Sequence, residues 1–276
     1  MTIGRAEASA LLARHGLAPR RARGQNFVVD PNTVRRIARI AGVGPGDHVV
    51  EIGAGLGALT LALAETGARV TAIEVDDGLV RALREVLAER PGVELLHADA
   101  TTLDWARVAP AHARAVLVAN LPYNVATPLV ADLLDGAPGV ARMLVMVQRE
   151  VGERLVAGPG DEAYGAVSVK VAYWATARLA GDVPRDVFLP VPRVDSVLVE
   201  IARRDRPPVD ADRDRLMALV RAGFAHRRKM LRRALAGLAD AAAFDAAGVA
   251  PTARAEELGL DDWARLERAS RHTGTP

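Results

Sequence analysis

The chain contains no cysteine, which excludes disulfide bonds and metal sites built on thiolates. Its six histidines are scattered and include no pair at a metal-binding spacing, so we predict no metal site. No uninterrupted apolar run approaches the roughly eighteen residues that a membrane-spanning helix needs. The first residues, MTIGRAEASALLARHGL, lack the apolar core of a signal peptide. We therefore expect a cytoplasmic protein with no membrane partner.

Lysine is nearly absent, since only Lys170 and Lys229 occur among 36 basic residues, and the net charge of +2 is small. The positive charge is nevertheless unevenly distributed along the chain. Residues 221–233, which we call the basic segment, carry six cations and no acid: Arg221, Arg227, Arg228, Lys229, Arg232 and Arg233. A smaller cluster near the start of the chain consists of Arg20, Arg21 and Arg23. Such runs are typical either of a solvated face or of a phosphate-binding surface.

Strand-like and helix-like patterns alternate from about residue 30 to residue 200, which predicts an α/β protein with a mostly parallel sheet. The predicted strands are His48–Ile52, Arg69–Glu74, Val93–His97, Val116–Ala119, Ala141–Gln148, Ser168–Tyr173 and Ser196–Ile201. The predicted helices are Pro31–Ala41, Leu56–Glu65, Gly78–Arg90 and Pro128–Asp135.

A second, smaller domain is predicted to follow this region. Residues 203–212 (RRDRPPVDAD) are charged, proline-paired and without apolar periodicity, so we interpret them as a linker between domains 1–203 and 204–276. Beyond the linker we predict helices, with one apolar helical face made of Leu216, Val220, Phe224, Leu231 and Leu235. A neighbouring stripe of the same helix would carry Arg221, Arg228 and Arg232. A further short helical unit is predicted within 250–266.

The segment VVEIGAGLG at 49–57 is a strand that runs into a glycine turn and a helix, where the backbone can approach a ligand closely. A dinucleotide is one candidate ligand, although its glycine pattern would place the third glycine at Ala58 and not at Gly57. S-adenosylmethionine (SAM) is the other candidate. SAM carries a sulfonium and an ammonium group but no pyrophosphate, so its site needs carboxylates, and Glu51 and Asp99 are suitably placed.

Four residues stand at or just past the carboxyl ends of successive predicted strands: Gly53, Glu74, Asp99 and Asn120. Ligands bind at this edge in open parallel sheets. A carboxylate at Glu74 can accept hydrogen bonds from ribose hydroxyls, and Asp99 can accept one from an adenine NH2. Taken singly, either acid could be a polar residue at a strand end without a ligand.

The sequence Asn120-Leu121-Pro122-Tyr123 is an unusual way to end a strand. The asparagine amide oxygen and a nearby backbone carbonyl can accept hydrogen bonds from an exocyclic NH2, and a tyrosine ring can stack on a base. These features indicate an enzyme that modifies an adenine amino group. The alternative is a proline turn followed by a tyrosine in the core.

Six motifs occur in a fixed order along the chain: GQNF, EIGAGLGALT, AIEVD, HADA, NLPYNVATP and FLPVPRVDS. In this set the chain resembles the ribosomal RNA adenine N6,N6-dimethyltransferase family, over roughly residues 20–265. The resemblance implies a Rossmann-like SAM-dependent methyltransferase domain with a small C-terminal helical domain. It also implies dimethylation of two adjacent adenosines near the 3′ end of 16S rRNA in the immature small ribosomal subunit, by a monomer.

The resemblance assigns a role to each matched residue. Asn26 and the backbone of Val28 would border SAM, together with Gly53 at the methionine, Glu74 at the ribose and Asp99 at the adenine. Five residues are expected at the target adenine: Asn120, Leu121 through its carbonyl, Pro122, and Tyr123 and Phe188 with their rings on either side of the base. Asn120 is also expected to touch SAM.

Three alternatives remain open at the level of the sequence. A related branch of the family methylates a 23S rRNA adenosine and shares the SAM motifs. A non-catalytic RNA-binding assembly factor could retain the fold. An NAD-dependent dehydrogenase would account for the glycine turn, but it would leave NLPY and FLPVP without a role.

Overall fold

A computed structural model describes residues 3–20, 24–122 and 125–271 of the chain. Its helices are α1 (Arg5–Arg14), α2 (Pro31–Ala41), α3 (Ala58–Ala64), α4 (Asp77–Leu87), α5 (Trp105–Val108), α6 (Ala126–Gly136), α7 (Arg149–Val156), α8 (Ala166–Trp174), α9 (Arg213–Ala225), α10 (Leu231–Ala234), α11 (Ala241–Ala247) and α12 (Leu260–Ser270). Its strands are β1 (Phe27–Val28), β2 (His48–Ile52), β3 (Arg69–Glu74), β4 (Val93–His97), β5 (Ala115–Asn120), β6 (Val140–Gln148), β7 (Ala175–Val183), β8 (Phe188–Leu189) and β9 (Ser196–Arg203).

Seven strands form one sheet in the order β4-β3-β2-β5-β6-β9-β7. The first five strands of this order are parallel, and β9 runs antiparallel to β6. From β2 the chain builds outward through β3 and β4, then returns to the other side of β2 to add β5 and β6. This reversal leaves a crevice at the carboxyl ends of β2 and β5, where open α/β sheets bind ligands. The predicted Rossmann-like α/β fold is confirmed.

Helix α2 illustrates how local sequence determines the elements around the sheet. The Asp30 carboxylate caps the helix by accepting a hydrogen bond from the Thr33 N–H at 2.7 Å, and Pro31 occupies the first turn, where no N–H is needed. Gly42 ends the helix in the left-handed region at φ +58°. Between these signals the apolar face is buried, with Ile37 only 1% exposed. The sequence pattern therefore predicts both ends of α2 correctly.

The prediction of a strand at Ser168–Tyr173 is wrong, because these residues form helix α8. The alternation of apolar and polar residues in SVKVAY resembles a strand, but Val169 and Tyr173, four residues apart, also share one face of a helix. Both side chains are buried in a hydrophobic core with residues of α9 and α12. This long-range packing overrides the local pattern.

The prediction of one continuous helical face after the linker is also wrong. Helix α9 ends at Ala225 and α10 begins only at Leu231. Leu216, Val220 and Leu231 are nevertheless all buried in the same core. The apolar residues were correctly identified, but they come from two helices. The arginines of the predicted stripe consequently lie on α9, on the turn after it, and on α10.

The chain divides into two compact units. The first runs up to Gly152 and includes Arg178–Arg203; the second consists of Glu153–Ala177 and the residues from Arg204 onward. The core of the second unit contains the fully buried ring of Trp263. Residues 204–212 form no helix or strand. No helix in the described ranges combines the length and the apolar character needed to cross a membrane.

Candidate active site

The carboxyl ends of β4, β3, β2 and β5 lie side by side, because these strands are parallel neighbours in register. A cleft of about 480 Å³ opens at this edge of the first unit. The residues predicted from the sequence that line it are Asn26, Gly53, Glu74, Asp99, Asn120 and Pro122. The structure thus brings together the four strand-end residues and parts of the GQNF and NLPY motifs.

The glycine turn after β2 is shaped so that the backbone borders the cleft. The N–H groups of Gly53 and Ala54 both donate to the Ile73 carbonyl, at 2.9 and 3.1 Å, which binds the turn to the end of β3. Gly55 has φ +61°, and a Cβ there would lie 3.0 Å from the Phe27 ring. Since the ring belongs to β1, glycine at this position lets the GQNF segment pack directly on the turn.

Glu74 is held in place by three backbone donors. Its Oε1 accepts from the N–H groups of Val75 and Asp76, and its Oε2 accepts from Gly55 N–H, each at 2.9 Å. The residue is only 6% exposed yet lines the cleft. Each carboxylate oxygen has two lone pairs, so capacity remains to accept a hydroxyl. The geometry suits the predicted contact with a ribose.

Asp99 is fixed by a different device, a local turn after β4. Its Oδ1 accepts from the Thr101 hydroxyl at 2.7 Å and from Thr101 N–H at 2.9 Å. These hydrogen bonds lower the pKa of Asp99 below its ordinary value, so the carboxylate is ionised near neutral pH. No hydrogen bond among the described residues uses Oδ2. An ionised acceptor is therefore available for an amino group.

Glu51 lies on β2 just before the glycine turn and is only 1% exposed. Burial raises its pKa to about 8; the Thr60 hydroxyl partly opposes this, and the charge of Glu74 adds to it. Within the described part of the chain, neither Glu51 Oε2 nor Thr60 Oγ1 has a partner at hydrogen-bonding distance and angle. An unpartnered buried carboxyl oxygen is costly unless a donor reaches it.

These residues fit SAM as the ligand of the cleft. Glu74 offers acceptors suited to ribose hydroxyls, and Asp99 offers one suited to the adenine NH2. SAM carries two cationic centres and no phosphate, so a cleft lined by the carboxyl groups of Glu74 and Asp99 matches its charge. Among residues 3–20, 24–122 and 125–271, no three acidic or histidine side chains cluster to hold a metal ion.

The side-chain amide of Asn120 has a defined orientation. Its Nδ2 donates to the Asn26 backbone carbonyl at 2.9 Å. Because the donor end is used in this way, the other end must be the acceptor Oδ1. No hydrogen bond among the described residues uses that oxygen, and Asn120 lines the cleft. An amide held like this presents an acceptor for a ligand N–H.

The rest of the NLPY motif is partly buried. The Leu121 side chain is only 1% exposed, and its N–H donates to the Met146 carbonyl at 3.1 Å, which fixes the motif to the end of β6. Pro122 lines the cleft, and its carbonyl accepts from the N–H groups of Val125 and Ala126 at the start of α6. Tyr123 lies outside the described residues.

Val28 and Phe188 do not line the cleft. They pair across the small antiparallel sheet of β1 and β8, and both belong to the hydrophobic core of the first unit. The Phe188 ring has no exposed surface. Stacking of Phe188 on a base therefore stays a prediction, and it requires the ring to be uncovered.

The sequence analysis missed the apolar wall of the cleft, which includes Val75, Leu79, Val125 and Leu129. Val75 is 54% exposed although it follows a buried strand. Its position directly after Glu74 was the available signal, since a residue one step past a ligand-binding strand end faces the same crevice. The other wall residues lie on α4, on α6 and just before α6, where the sequence offers no comparable signal.

Comparison with known proteins agrees with this geometry. Residues 17–270 match the family model described as ribosomal RNA adenine dimethylase. The chain is 50% identical over 275 residues to "Ribosomal RNA small subunit methyltransferase A" of Streptomyces coelicolor, covering 96% of this chain and 95% of that protein. It is 48% identical over 268 residues to the protein of the same name from Thermobifida fusca, covering 95% and 93%.

Two solved structures share the architecture. The 23S rRNA methyltransferase ErmE superposes with a TM-score of 0.69 at 27% identity, over 89% of this chain and 99% of that one. A dimethyladenosine transferase from Plasmodium falciparum superposes with a TM-score of 0.74 at 22% identity, over 90% and 98%, and supports the fold alone. A cleft built for SAM, an acceptor amide at its edge and a family match over nearly the whole chain agree, and the chain belongs to the ribosomal RNA adenine dimethylase family.

Proposed function

We propose that this chain transfers two methyl groups from SAM to N6 of each of two adjacent adenosines near the 3′ end of 16S rRNA. The relatives at 48–50% identity carry a small-subunit name, which favours this substrate over 23S rRNA. The observation that supports this reaction is the orientation of the Asn120 amide: its Nδ2 donates to the Asn26 carbonyl, which leaves Oδ1 as an acceptor at the cleft. An acceptor fixed at the edge of a SAM-type cleft is what an amino methyltransferase requires.

The chemical difficulty is the adenine nitrogen, because its lone pair is delocalised into the ring. When bound, SAM supplies an electrophilic methyl group that needs little activation. Asn120 Oδ1 and the Leu121 carbonyl are proposed to accept the two N6 hydrogens, which favours a more tetrahedral nitrogen and stabilises its developing positive charge. No strong base is required, since the alkylated nitrogen is acidic and loses its proton readily.

The target base must leave its stack to reach the cleft. Flipping costs a few kcal/mol, and stacking on aromatic rings returns roughly 1–3 kcal/mol per base. We assign this stacking to Tyr123, and to Phe188 if its ring is uncovered when RNA binds. The second methylation needs space for one methyl group beside N6. An asparagine, which only accepts at Oδ1, tolerates a nitrogen with fewer hydrogens to donate.

We assign methyl transfer to the first unit and binding of rRNA phosphates to the basic segment in the second. The side chains of Arg221, Arg228, Lys229, Arg232 and Arg233 are exposed. Arg227 is also exposed, but it pairs with Glu256, with 2.5 Å between Nε and Oε2. We further propose that the protein acts as a monomer on the immature small subunit, in the bacterial cytoplasm.

Methyl transfer from labelled SAM to immature 30S subunits and, in a parallel reaction, to free 23S rRNA tests the proposal, with the modified nucleotides mapped in each product. We expect N6,N6-dimethylation of two adjacent adenosines in 16S rRNA. Labelling of a 23S adenosine alone would move the chain to the other branch of the family. Binding to 30S subunits without any transfer would instead indicate an assembly factor that has retained the fold.

A further inference from the structure

Helix α1 contacts two different parts of the first unit, one at each end. At its C-terminal end His15 Nε2 lies 2.9 Å from Glu85 Oε2 on α4, and Arg14 pairs with the same carboxylate. The Leu17 side chain then packs so closely on α4 that a Cβ at Gly78 would lie 2.4 Å from it. Helix α4 also carries Leu79, which lines the cleft. One end of α1 is thereby fixed to the cofactor side of the site.

The other end of α1 holds the segment that carries Phe188. The Arg5 guanidinium donates through Nη2 to the carbonyl of Asp186 at 2.6 Å and to the carbonyl of Phe188 at 3.1 Å. The carbonyl between them, that of Val187, accepts from Val29 N–H at 2.8 Å. Three successive backbone carbonyls are therefore bound from two sides, by a charged side chain and by the backbone next to β1. Bonds from a charged donor are stronger than bonds between neutral groups.

The contacts continue from this segment to Asn120. Strand β8 pairs with β1, with Phe27 opposite Leu189 and Val28 opposite Phe188. The residue before β1 is Asn26, and its carbonyl is the acceptor that orients the Asn120 amide. A shift of the 186–189 segment would be transmitted to β1 and from there to that carbonyl. Arg5 is not among the residues that line the cleft.

We propose that Arg5 is a positioning residue for the target adenosine, and that it acts by holding the β8 backbone against β1. The inference rests on the proposed function, because it concerns the same site. It predicts that Arg5 affects how the target nucleotide is held more strongly than it affects SAM binding, because only Asn26 and Val28 of the residues expected to border SAM lie on the segment paired with β8. Glu74 and Asp99, the two carboxylates proposed to hold SAM, are fixed by their own local bonds, which do not involve this segment.

The test compares Arg5→Met with Arg14→Met in the full-length protein. Both changes remove one guanidinium from α1, but Arg14 contacts α4 and not β8. For Arg5→Met we expect faster hydrogen exchange at the Val29 amide, kcat/KM for 30S subunits lower by about tenfold, and a smaller change in the Kd for SAM than in kcat/KM, since small misplacements of reacting groups are costly. For Arg14→Met we expect wild-type values in all three measurements.

Wild-type exchange at Val29 together with wild-type kinetics in Arg5→Met would overturn the proposal. So would an equal loss in Arg14→Met, which would indicate a general effect of helix docking. If Arg5→Met does not fold, Arg5→Gln provides the same measurements, and wild-type values there overturn the proposal too. The exchange and SAM measurements need no RNA, so a wild-type protein inactive on 30S subunits would refute the proposed function while leaving the positioning role testable.

Discussion

An asparagine amide has an acceptor at one end and two donors at the other, and in Asn120 the donor end binds the Asn26 carbonyl. The sequence predicts the amide at this strand end but not its orientation. The orientation depends on a carbonyl that lies 94 residues away along the chain. What the residue can do in catalysis is therefore determined by a tertiary contact.

Asn120→Ala should lower the single-turnover rate of methyl transfer by about 10²–10³, the range for removing one fixed acceptor or donor from a charged transition state. Thermal stability should change little, because Asn120 is at a strand end and only partly buried. Gln148→Ala is the matched control, since this amide ends the neighbouring strand β6 and does not line the cleft. A wild-type rate in Asn120→Ala would refute the mechanism.

Glu74→Ala should weaken SAM binding by about 1–3 kcal/mol, because it removes the proposed ribose acceptor and leaves buried donors unpaired. Isothermal calorimetry with SAM measures this directly. Glu74→Gln should lose less affinity, since its amide oxygen can still accept from Val75 and Asp76 N–H. The control is Glu94→Ala on β4, an exposed acid outside the cleft. Unchanged affinity in both Glu74 variants would remove Glu74 from the cofactor site.

Glu51 should make the protein less stable as the pH rises. Its pKa is about 8 in the folded chain, against 4.5 as the ordinary value, so between these values the folded state binds a proton that the unfolded state has lost. The free energy of unfolding should then fall by up to about 1.4 kcal/mol per pH unit across that window. In Glu51→Gln this part of the pH dependence should disappear.

Urea unfolding of both proteins at pH 5, 6.5 and 8 checks this, since these values sample the window between the two pKa values. The variant should be more stable than the wild type at pH 8, with a difference that shrinks towards pH 5. Parallel pH profiles for the two proteins would show that Glu51 is ionised in the fold throughout this range.

At the scale of elements, the sequence predicts best those whose ends carry local signals. Strands β2, β3 and β4 begin and end where predicted, because each is rich in apolar residues and has a polar residue or a glycine at or next to each end. Helix α8 has no such signal at its start. Gly165 serves as its N-cap, and Gly165 N–H donates to Ser168 Oγ at 3.0 Å, while Ser168 Oγ donates to the Arg154 carbonyl at 2.6 Å. The bond to Arg154 joins residues 14 positions apart, so it exists only in the folded second unit.

The break between α9 and α10 changes how the basic segment presents its charge. Changing Arg221, Arg228 and Arg232 together to Gln should weaken binding to 30S subunits and flatten its salt dependence, since each lost phosphate contact releases about one counterion fewer. SAM affinity should stay the same, because the cleft is built from residues of the first unit. Filter binding across a salt series measures the slope of the logarithm of the binding constant against the logarithm of the salt concentration.

The control for this experiment removes three exposed arginines of the second unit that lie outside the basic segment: Arg206, Arg213 and Arg254. Its net charge equals that of the first triple variant. A slope that changes equally in both would reveal a general charge effect, and a slope unaltered in the first would mean that the basic segment is only solvated.

At the scale of the whole molecule, the linker at residues 203–212 stays a prediction, while the second compact unit includes residues that the sequence pattern places in the first domain. Residues 153–177 belong to that unit although they precede β9 in the chain. Their membership depends on contacts such as the bond from the Tyr164 hydroxyl to the Leu258 carbonyl, at 2.9 Å. Partners 94 residues apart leave no local pattern, whereas strand-end residues such as Glu74 can be found from spacing alone.

The three backbone bonds to Glu74 have a consequence for how tightly a ligand associates. A glutamate side chain that moves freely loses conformational entropy when it is captured, at about 0.5–1.5 kcal/mol for a side chain rich in rotamers. Here the chain's own backbone has already removed that freedom, through N–H groups on both the glycine turn and the start of α4. A ligand that binds this corner of the cleft therefore meets a carboxylate that is already ordered, and the entropic cost of ordering it falls on folding and not on binding.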